Sequence, residues 1–167
     1  YRADGSSKFA PGNRWGYFPS FAVAWRISDE KFMSNITWLN NLKLRLSYGT
    51  AGNNNIPSLA YMQIYSSYST TYLPSSLATS YWAASSTMVN EKLKWETAIT
   101  RNAALDFGLF KNRINGTIEI YKNDTKDLLI DFPVSGSGYN TQMRNIGRTS
   151  NKGVELTLNS SIINQKD

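Results

Sequence analysis

Residues Arg14–Ser28, RWGYFPSFAVAWRIS, constrain the fold of this chain more than any other stretch. Odd positions carry Trp15, Tyr17, Pro19, Phe21, Val23, Trp25 and Ile27, and even positions carry Gly16, Phe18, Ser20, Ala22, Ala24 and Arg26. Large apolar groups fall on one face and mostly small or polar groups on the other, a period of two that specifies a strand. That face is aromatic at both ends and aliphatic in the middle. Packing on a soluble core gives no reason for such an order. A bilayer does, because Trp and Tyr favour its interfaces and aliphatic groups its hydrocarbon. A tilted transmembrane strand needs roughly 9–11 residues, and this run supplies them.

Four further segments alternate in the same way. About 42–50 puts Leu42, Leu44, Leu46 and Tyr48 opposite Lys43, Arg45, Ser47 and Gly49. About 93–110 sets Trp95, Ile99, Arg101, Ala103, Leu105, Phe107 and Leu109 against Glu96, Thr100, Asn102 and Asp106. About 113–130 sets Ile114, Gly116, Ile118 and Ile120 against Asn115, Thr117, Glu119 and Tyr121, and about 152–162 separates Val154, Leu156 and Leu158 from Glu155, Thr157 and Asn159. With about 15–27 these make five strands. A two-residue turn at Lys111-Asn112 pairs Phe110 with Arg113, so paired numbers sum to 223 and the two apolar faces coincide; a one-residue slip would separate them.

The connections run medium, long, short, long, as in outer-membrane barrels with short periplasmic turns and long extracellular loops. Residues 51–92 and 131–149 are then expected outside the cell, and 28–41 and 111–112 on the periplasmic side. The fold class expected is all-β: an antiparallel up-and-down transmembrane β-barrel wall. Five strands cannot close, and alone they would expose two edges and a lipid face. The chain starts at Tyr1 with no signal peptide, and reads as an internal or C-terminal piece of a longer protein. On the lipid side we expect Trp15, Phe21, Val23, Leu44, Leu46, Ile99, Leu105, Ile118, Leu156 and Leu158, and on the lumen side Arg45, Asn102, Asp106, Glu119, Tyr121 and Glu155.

Composition narrows the functions. Aromatics are 13% of the 167 residues, which suits membrane girdles. Cysteine and histidine are absent, removing disulfides, thiol catalysis and histidine-based metal or acid–base sites. The 18 Lys and Arg exceed the 12 Asp and Glu but are scattered, so nucleic-acid binding is not expected. No Gly-rich phosphate loop opens a helix. Glu96, Asp106, Glu119 and Glu155 could in principle pair for glycoside hydrolysis, but a hydrated, salt-bridged pore lining accounts for them better. No catalytic, cofactor-binding or metal site is expected. Asn-x-Ser/Thr strings such as Asn115-Gly116-Thr117 would be glycan acceptors only in a secreted eukaryotic chain.

Several strings resemble the SusC/RagA family of TonB-linked outer-membrane importers: DGSSKF (Asp4–Phe9), NRWGYFPSFAVAWRISDEKFM (Asn13–Met33), LNNLKLRLSYGTAGNNNI (Leu39–Ile56), LKWETAI (Leu93–Ile99), LDFGLFKNRINGTIEIYKNDTKDLL (Leu105–Leu129) and NIGRTSNKGVELTLN (Asn145–Asn159). They cover well over half the chain in family order. The least family-like stretches, about 57–90 and 132–143, fall in the expected extracellular loops. The resemblance implies a barrel of about 22 strands with an N-terminal plug, set in the bacterial outer membrane and energised by the TonB complex. It implies a SusD-like surface lipoprotein as a lid, and oligosaccharide or oligopeptide cargo. The plug and the TonB-contacting segment lie outside this sequence. A structural or adhesive barrel without transport is the alternative, and a soluble β-sandwich fails to explain the aromatic-ended faces.

Two groups are candidates for ligand contact. Tyr61, Tyr65, Tyr68, Tyr72, Tyr81 and Trp82 crowd one expected extracellular loop; their faces can stack on sugar rings or peptide side chains and their polar tips hydrogen-bond. An upper girdle or loop packing is the other reading of them. Asn53-Asn54-Asn55 reads as a turn. Arg101 and Lys122 interrupt their apolar faces, and 101 and 122 sum to 223, so they should be cross-strand neighbours on the lipid side. Each lies eight residues above the short turn, about 19 Å up a band about 25 Å tall. Both can snorkel to the outer interface. There they are candidates to hold the anionic headgroup of lipopolysaccharide or another outer-leaflet lipid, or else are two unrelated snorkelling chains.

Overall fold

The computed structural model describes residues 1–69 and 80–161. Twelve strands occur among them: β1 (Arg2–Gly5), β2 (Trp15–Phe18), β3 (Ser20–Arg26), β4 (Leu39–Asn53), β5 (Tyr65–Ser69), β6 (Ser80–Ala84), β7 (Thr87–Met88), β8 (Glu96–Leu109), β9 (Ile114–Lys126), β10 (Leu129–Pro133), β11 (Thr141–Asn145) and β12 (Arg148–Ser160). Five of them form one sheet in the order β12-β9-β8-β4-β3, every neighbour antiparallel and every neighbour the next of these strands in sequence. This is an up-and-down wall, open at both edges within this chain.

Register aligns the apolar positions of all five strands. Trp25, Leu44, Leu105, Ile118 and Leu156 form one lateral row, and Val23, Leu46, Ala103, Ile120 and Val154 form the next. Along β8 and β9 the pairs run from Leu109–Ile114 to Thr97–Lys126, every pair summing to 223 as the short turn demands. The turn itself uses positive φ at Phe110, Lys111 and Asn112. It is tied back by Lys111 N–H donating to Asn40 Oδ1 at 2.5 Å and Phe110 N–H to the Trp38 carbonyl at 2.8 Å.

All five expected strands change their bounds: β4 is longer than 42–50, β8 slightly shorter than 93–110, and the run 113–130 divides into β9 and β10. The run 15–27 is not one strand, because it breaks at Pro19, which has no N–H to give a ladder. Its first half, β2, pairs with β1, which alternation in so short a segment does not reveal. Trp15 therefore lies outside the five-stranded sheet, over Gly5 of that hairpin, and not in the wall where we expected it. At the other end of the molecule, β12 begins at Arg148 rather than 152, extended by pairing with the upper part of β9.

Above the wall, at the end of the long connections, sit two-stranded β5-β6 and three-stranded β10-β11-β7, the last pair parallel. We call this end the rim. The connections 51–92 and 131–149 thus contain strands as well as loops. The rim holds the packed core: Phe9, Ile56 and Leu93 are buried together, with Ala60, Trp95, Leu129 and Met143 against them.

Candidate functional site: a two-faced wall beneath an aromatic rim

The polar face of the wall is a connected network. Arg45 donates through Nε and Nη2 to the two carboxylate oxygens of Asp106, at 2.7 and 2.8 Å. Thr117 Oγ1 donates to Asp106 Oδ1 at 2.9 Å, and Asn102 donates to Glu119. Bidentate geometry of this kind fixes a guanidinium better than a point contact does. Glu119 lies opposite Glu155 on β12, so two carboxylates stand side by side. Tyr121 lies opposite Gly153, and a Cβ there would overlap its ring. Arg45, Asn102, Asp106, Glu119, Tyr121 and Glu155 are thus brought to one face, as alternation predicted.

On the opposite, apolar face, Phe21 stacks on Tyr48 at 5.5 Å between centroids, and the Arg101 guanidinium lies 5.8 Å from the Tyr48 centroid. Arg101 is paired with Lys122 in register, and Lys122 with Lys152 on β12. Asp124 lies next to them: its carboxylate is 2.5 Å from Arg101 Nη1 and 3.8 Å from Lys122 Nζ, and accepts from Ser150 Oγ at 2.7 Å. Sequence reading missed Asp124 and Lys152. Both were findable by extending the alternation two residues further along β9 and β12.

In the rim, the tyrosines separate into groups. Tyr68 is paired with Tyr81 across the β5-β6 hairpin, their rings 5.9 Å apart. Tyr65 and Trp82 occupy the hairpin's other face by alternation, and Trp82 is 72% exposed, so neither face of this hairpin is packed away. Tyr61 is set apart beside Ala10, Pro11, Gln63 and Glu91 around a cavity of about 540 Å³. Tyr72 lies outside the described residues. The two long connections touch each other where Tyr139 donates to Gln63 at 3.3 Å.

What places this rim is a set of side chains whose bracing role no alternation signals. Trp95 meets Phe9 at 5.4 Å and Phe18 at 5.6 Å, and its Nε1 donates to the Arg14 carbonyl at 3.1 Å. Asn145 Nδ2 donates to the carbonyls of Lys94 and Asp127 at 2.8 and 2.9 Å, while its Oδ1 accepts from Lys94 N–H at 2.9 Å. Asn90 ties Met143 in the same way at 2.9 Å. Glu96 accepts from Asn53 at 3.2 Å and from Leu129 N–H at 3.0 Å. The Asn53–Asn55 run is the end of β4 and the start of the connection after it, with Asn53 Oδ1 accepting from Asn55 N–H at 3.0 Å and Asn54 donating to Ser6 at 3.0 Å. Together these side chains fix the rim over the wall, while the aromatic surfaces of the β5-β6 hairpin stay exposed. Among the described residues, no group of three or more His, Cys, Asp and Glu could hold a metal ion.

Residues 1–163 match the family described as TonB-dependent receptor-like, beta-barrel. The chain is 42% identical over 171 residues to the TonB-dependent receptor SusC of Bacteroides thetaiotaomicron, covering 99% of this chain and 17% of that protein. It is 35% identical to the TonB-dependent receptor P3 of Formosa agariphila, covering 99% of this chain and 16% of that one. Among solved structures, it superposes on the RagAB peptide importer in the 'closed-closed' state with a TM-score of 0.83 at 33% identity, covering 99% of this chain and 18% of that one. The 'open-open' state gives 0.80 at 33% identity over 96% of this chain and 17% of that one. The chain therefore spans less than a fifth of the length of these relatives.

Proposed function

We propose a transport function, because the chain belongs to the TonB-dependent receptor-like β-barrel family, within its SusC/RagA group. Its five-stranded sheet is a section of transmembrane β-barrel wall, with the apolar face toward lipid and the Arg45–Asp106 network toward the lumen. The protein containing it imports an oligosaccharide or oligopeptide across the bacterial outer membrane, driven by the TonB complex and in partnership with a SusD-like surface lipoprotein. The rim faces the cell exterior, and the short turns face the periplasm. Tyr61, Tyr65, Tyr68, Tyr72, Tyr81 and Trp82 contact cargo or lid.

One observation carries this reading: nearly the whole chain superposes on a protein described as a peptide importer. The rim adds chemical support. Exposed Tyr and Trp rings on both faces of a hairpin offer stacking surface and hydrogen-bonding tips to a passing sugar or peptide. The test is growth of a deletion strain on a panel of oligosaccharides and oligopeptides, with and without TonB. Loss of growth on one polymer class, restored by the intact gene only when TonB is present, is expected. Unchanged uptake of every substrate would overturn it.

A further inference from the structure

The lipid-facing side of the wall carries a cluster of charges unlike anything below it. Arg101, Lys122, Lys152, Lys126 and Arg148 all lie on this face by alternation, on three adjacent strands. Asp124 is the only carboxylate on the same face of the five-stranded sheet among the described residues. Five cations against one anion leave an excess of four positive charges, so ion pairing within the sheet does not account for the cluster.

The position of the cluster defines its surroundings. Arg101, Lys122 and Lys152 each lie eight residues along their strands from Leu109, Ile114 and Ser160 at the short-turn end, and Lys126 and Arg148 lie twelve. At roughly 3.3 Å per residue and a tilt near 45°, the cations span about 19 to 28 Å. The apolar band is about 25 Å tall, so they straddle its upper boundary. The surface has two connected parts. A polar depression of about 260 Å³ is lined by Arg101, Lys122, Asp124, Lys126, Arg148 and Ser150. Directly beneath, a groove of about 600 Å³ is lined by Phe21, Leu46, Tyr48, Ala103 and Ile120, with Lys152 beside Arg101 and Lys122 at its border. Arg101 and Lys122 border both. Asp124 fixes the Arg101 guanidinium from above, while Tyr48 supports it from the side.

We propose that this surface binds a phosphorylated glycolipid of the outer leaflet, with its phosphate among Arg101, Lys122 and Lys152 and an acyl chain along the Phe21–Ile120 groove. The charge excess selects phosphate, and charge-assisted hydrogen bonds from guanidinium and ammonium groups hold it. The apolar groove below selects a lipid over a free anion. The assignment rests on the orientation proposed above, with the rim outside the cell, but not on transport.

Detergent-purified full-length protein, stripped of native lipid, is titrated with diphosphoryl lipid A and followed by native mass spectrometry. Phosphatidylethanolamine, phosphatidylglycerol and inorganic phosphate serve as separate arms. Lipid A is expected to bind well above either phospholipid, and millimolar phosphate is expected not to displace it. The triple variant Arg101→Gln, Lys122→Gln, Lys152→Gln should lose about tenfold or more in lipid A affinity, since several charge-assisted contacts disappear. Asp124→Asn, which removes an anion but also the brace on Arg101, should lose less affinity than the triple variant. Lys152 makes no ion pair among the described residues, so Lys152→Gln alone, expected to lose about threefold, serves if the triple variant does not assemble. Equal binding by wild type and the glutamine variants overturns the site. So does loss of binding in Asp124→Asn equal to that of the triple variant, which would mark the cluster as an internal ion network. Displacement by phosphate reassigns it to a free anion, and preference for phosphatidylglycerol refutes the glycolipid. Surface labelling of Trp82→Cys in intact cells tests orientation separately, so failure of the lipid site is distinguishable from failure of the topology.

Discussion

In the wall, Leu44, Leu105, Ile118 and Leu156 line up across four strands, and none of them is buried; in the rim, Phe9 and Leu93 are wholly buried. The wall is a two-dimensional object whose apolar side chains stay on its outer surface, because hydrocarbon is their solvent. Backbone ladders and register hold it. The rim is a small core of the ordinary kind, closed by Phe9, Ile56 and Leu93 from segments remote in sequence and laced by Asn90, Asn145 and Glu96. A substitution should therefore act by polarity and face in the wall, and by volume in the rim.

The largest contrast comes from charge. Leu46 lies in the row of Val23 and Ala103, about 14 Å up the band, near its middle. Leu46→Arg should cost about 2–4 kcal/mol, read as a lowered urea midpoint of the full-length barrel refolded into liposomes. Equal stability of Leu46→Arg and wild type would break the comparison. Next comes close approach between strands. Gly116 lies under the Phe107 ring, and a Cβ there would overlap the Thr157 carbonyl. Gly116→Ala should cost about 1–3 kcal/mol by overpacking in the same assay.

Loss of side-chain volume should matter only in the rim. Ile56 is 3% exposed and Ile118 is 40% exposed. Ile56→Val should cost about 0.5–1.5 kcal/mol, seen as faster hydrogen exchange near Asn90–Trp95, while Ile118→Val should leave exchange in β8 and β9 unchanged. Smallest in stability, and most telling for function, is Trp82→Ala. Its exposure predicts a change within about 0.5 kcal/mol, with a severalfold fall in uptake of whichever oligomer the strain requires. Normal uptake by this variant and by Tyr68→Ala would remove the aromatic hairpin from the binding surface.

How far each region could be read from the residues follows the same division. Alternation specifies the wall down to register, because lipid on one side and water on the other impose a period of two on every strand. The sum of 223 for β8 and β9 came from the turn alone, and Arg101 falls opposite Lys122 as it requires. Where the period is interrupted, sequence reading errs. Pro19 moves Trp15 out of the wall into the β1-β2 hairpin. Trp95 reads as the start of an apolar face but closes the rim against Phe9 and Phe18. The rim braces are single asparagines, and no local pattern distinguishes Asn145, which bonds two carbonyls, from the asparagines of a turn. The tyrosine cluster was visible as composition. Its division into Tyr68 with Tyr81, Tyr65 with Trp82, and Tyr61 alone depends on a hairpin register that no short turn announces.

The two-sided character of the wall is the claim on which the rest stands, and β9 tests it most directly. Single cysteines at Ile118, Glu119, Ile120 and Tyr121 of the full-length protein in intact outer membranes are probed in parallel with a water-soluble maleimide and a lipid-phase quencher. Positions 119 and 121 should react from water, and positions 118 and 120 should report only lipid. Uniform reactivity along the strand, or reversal of the alternation, would contradict the account.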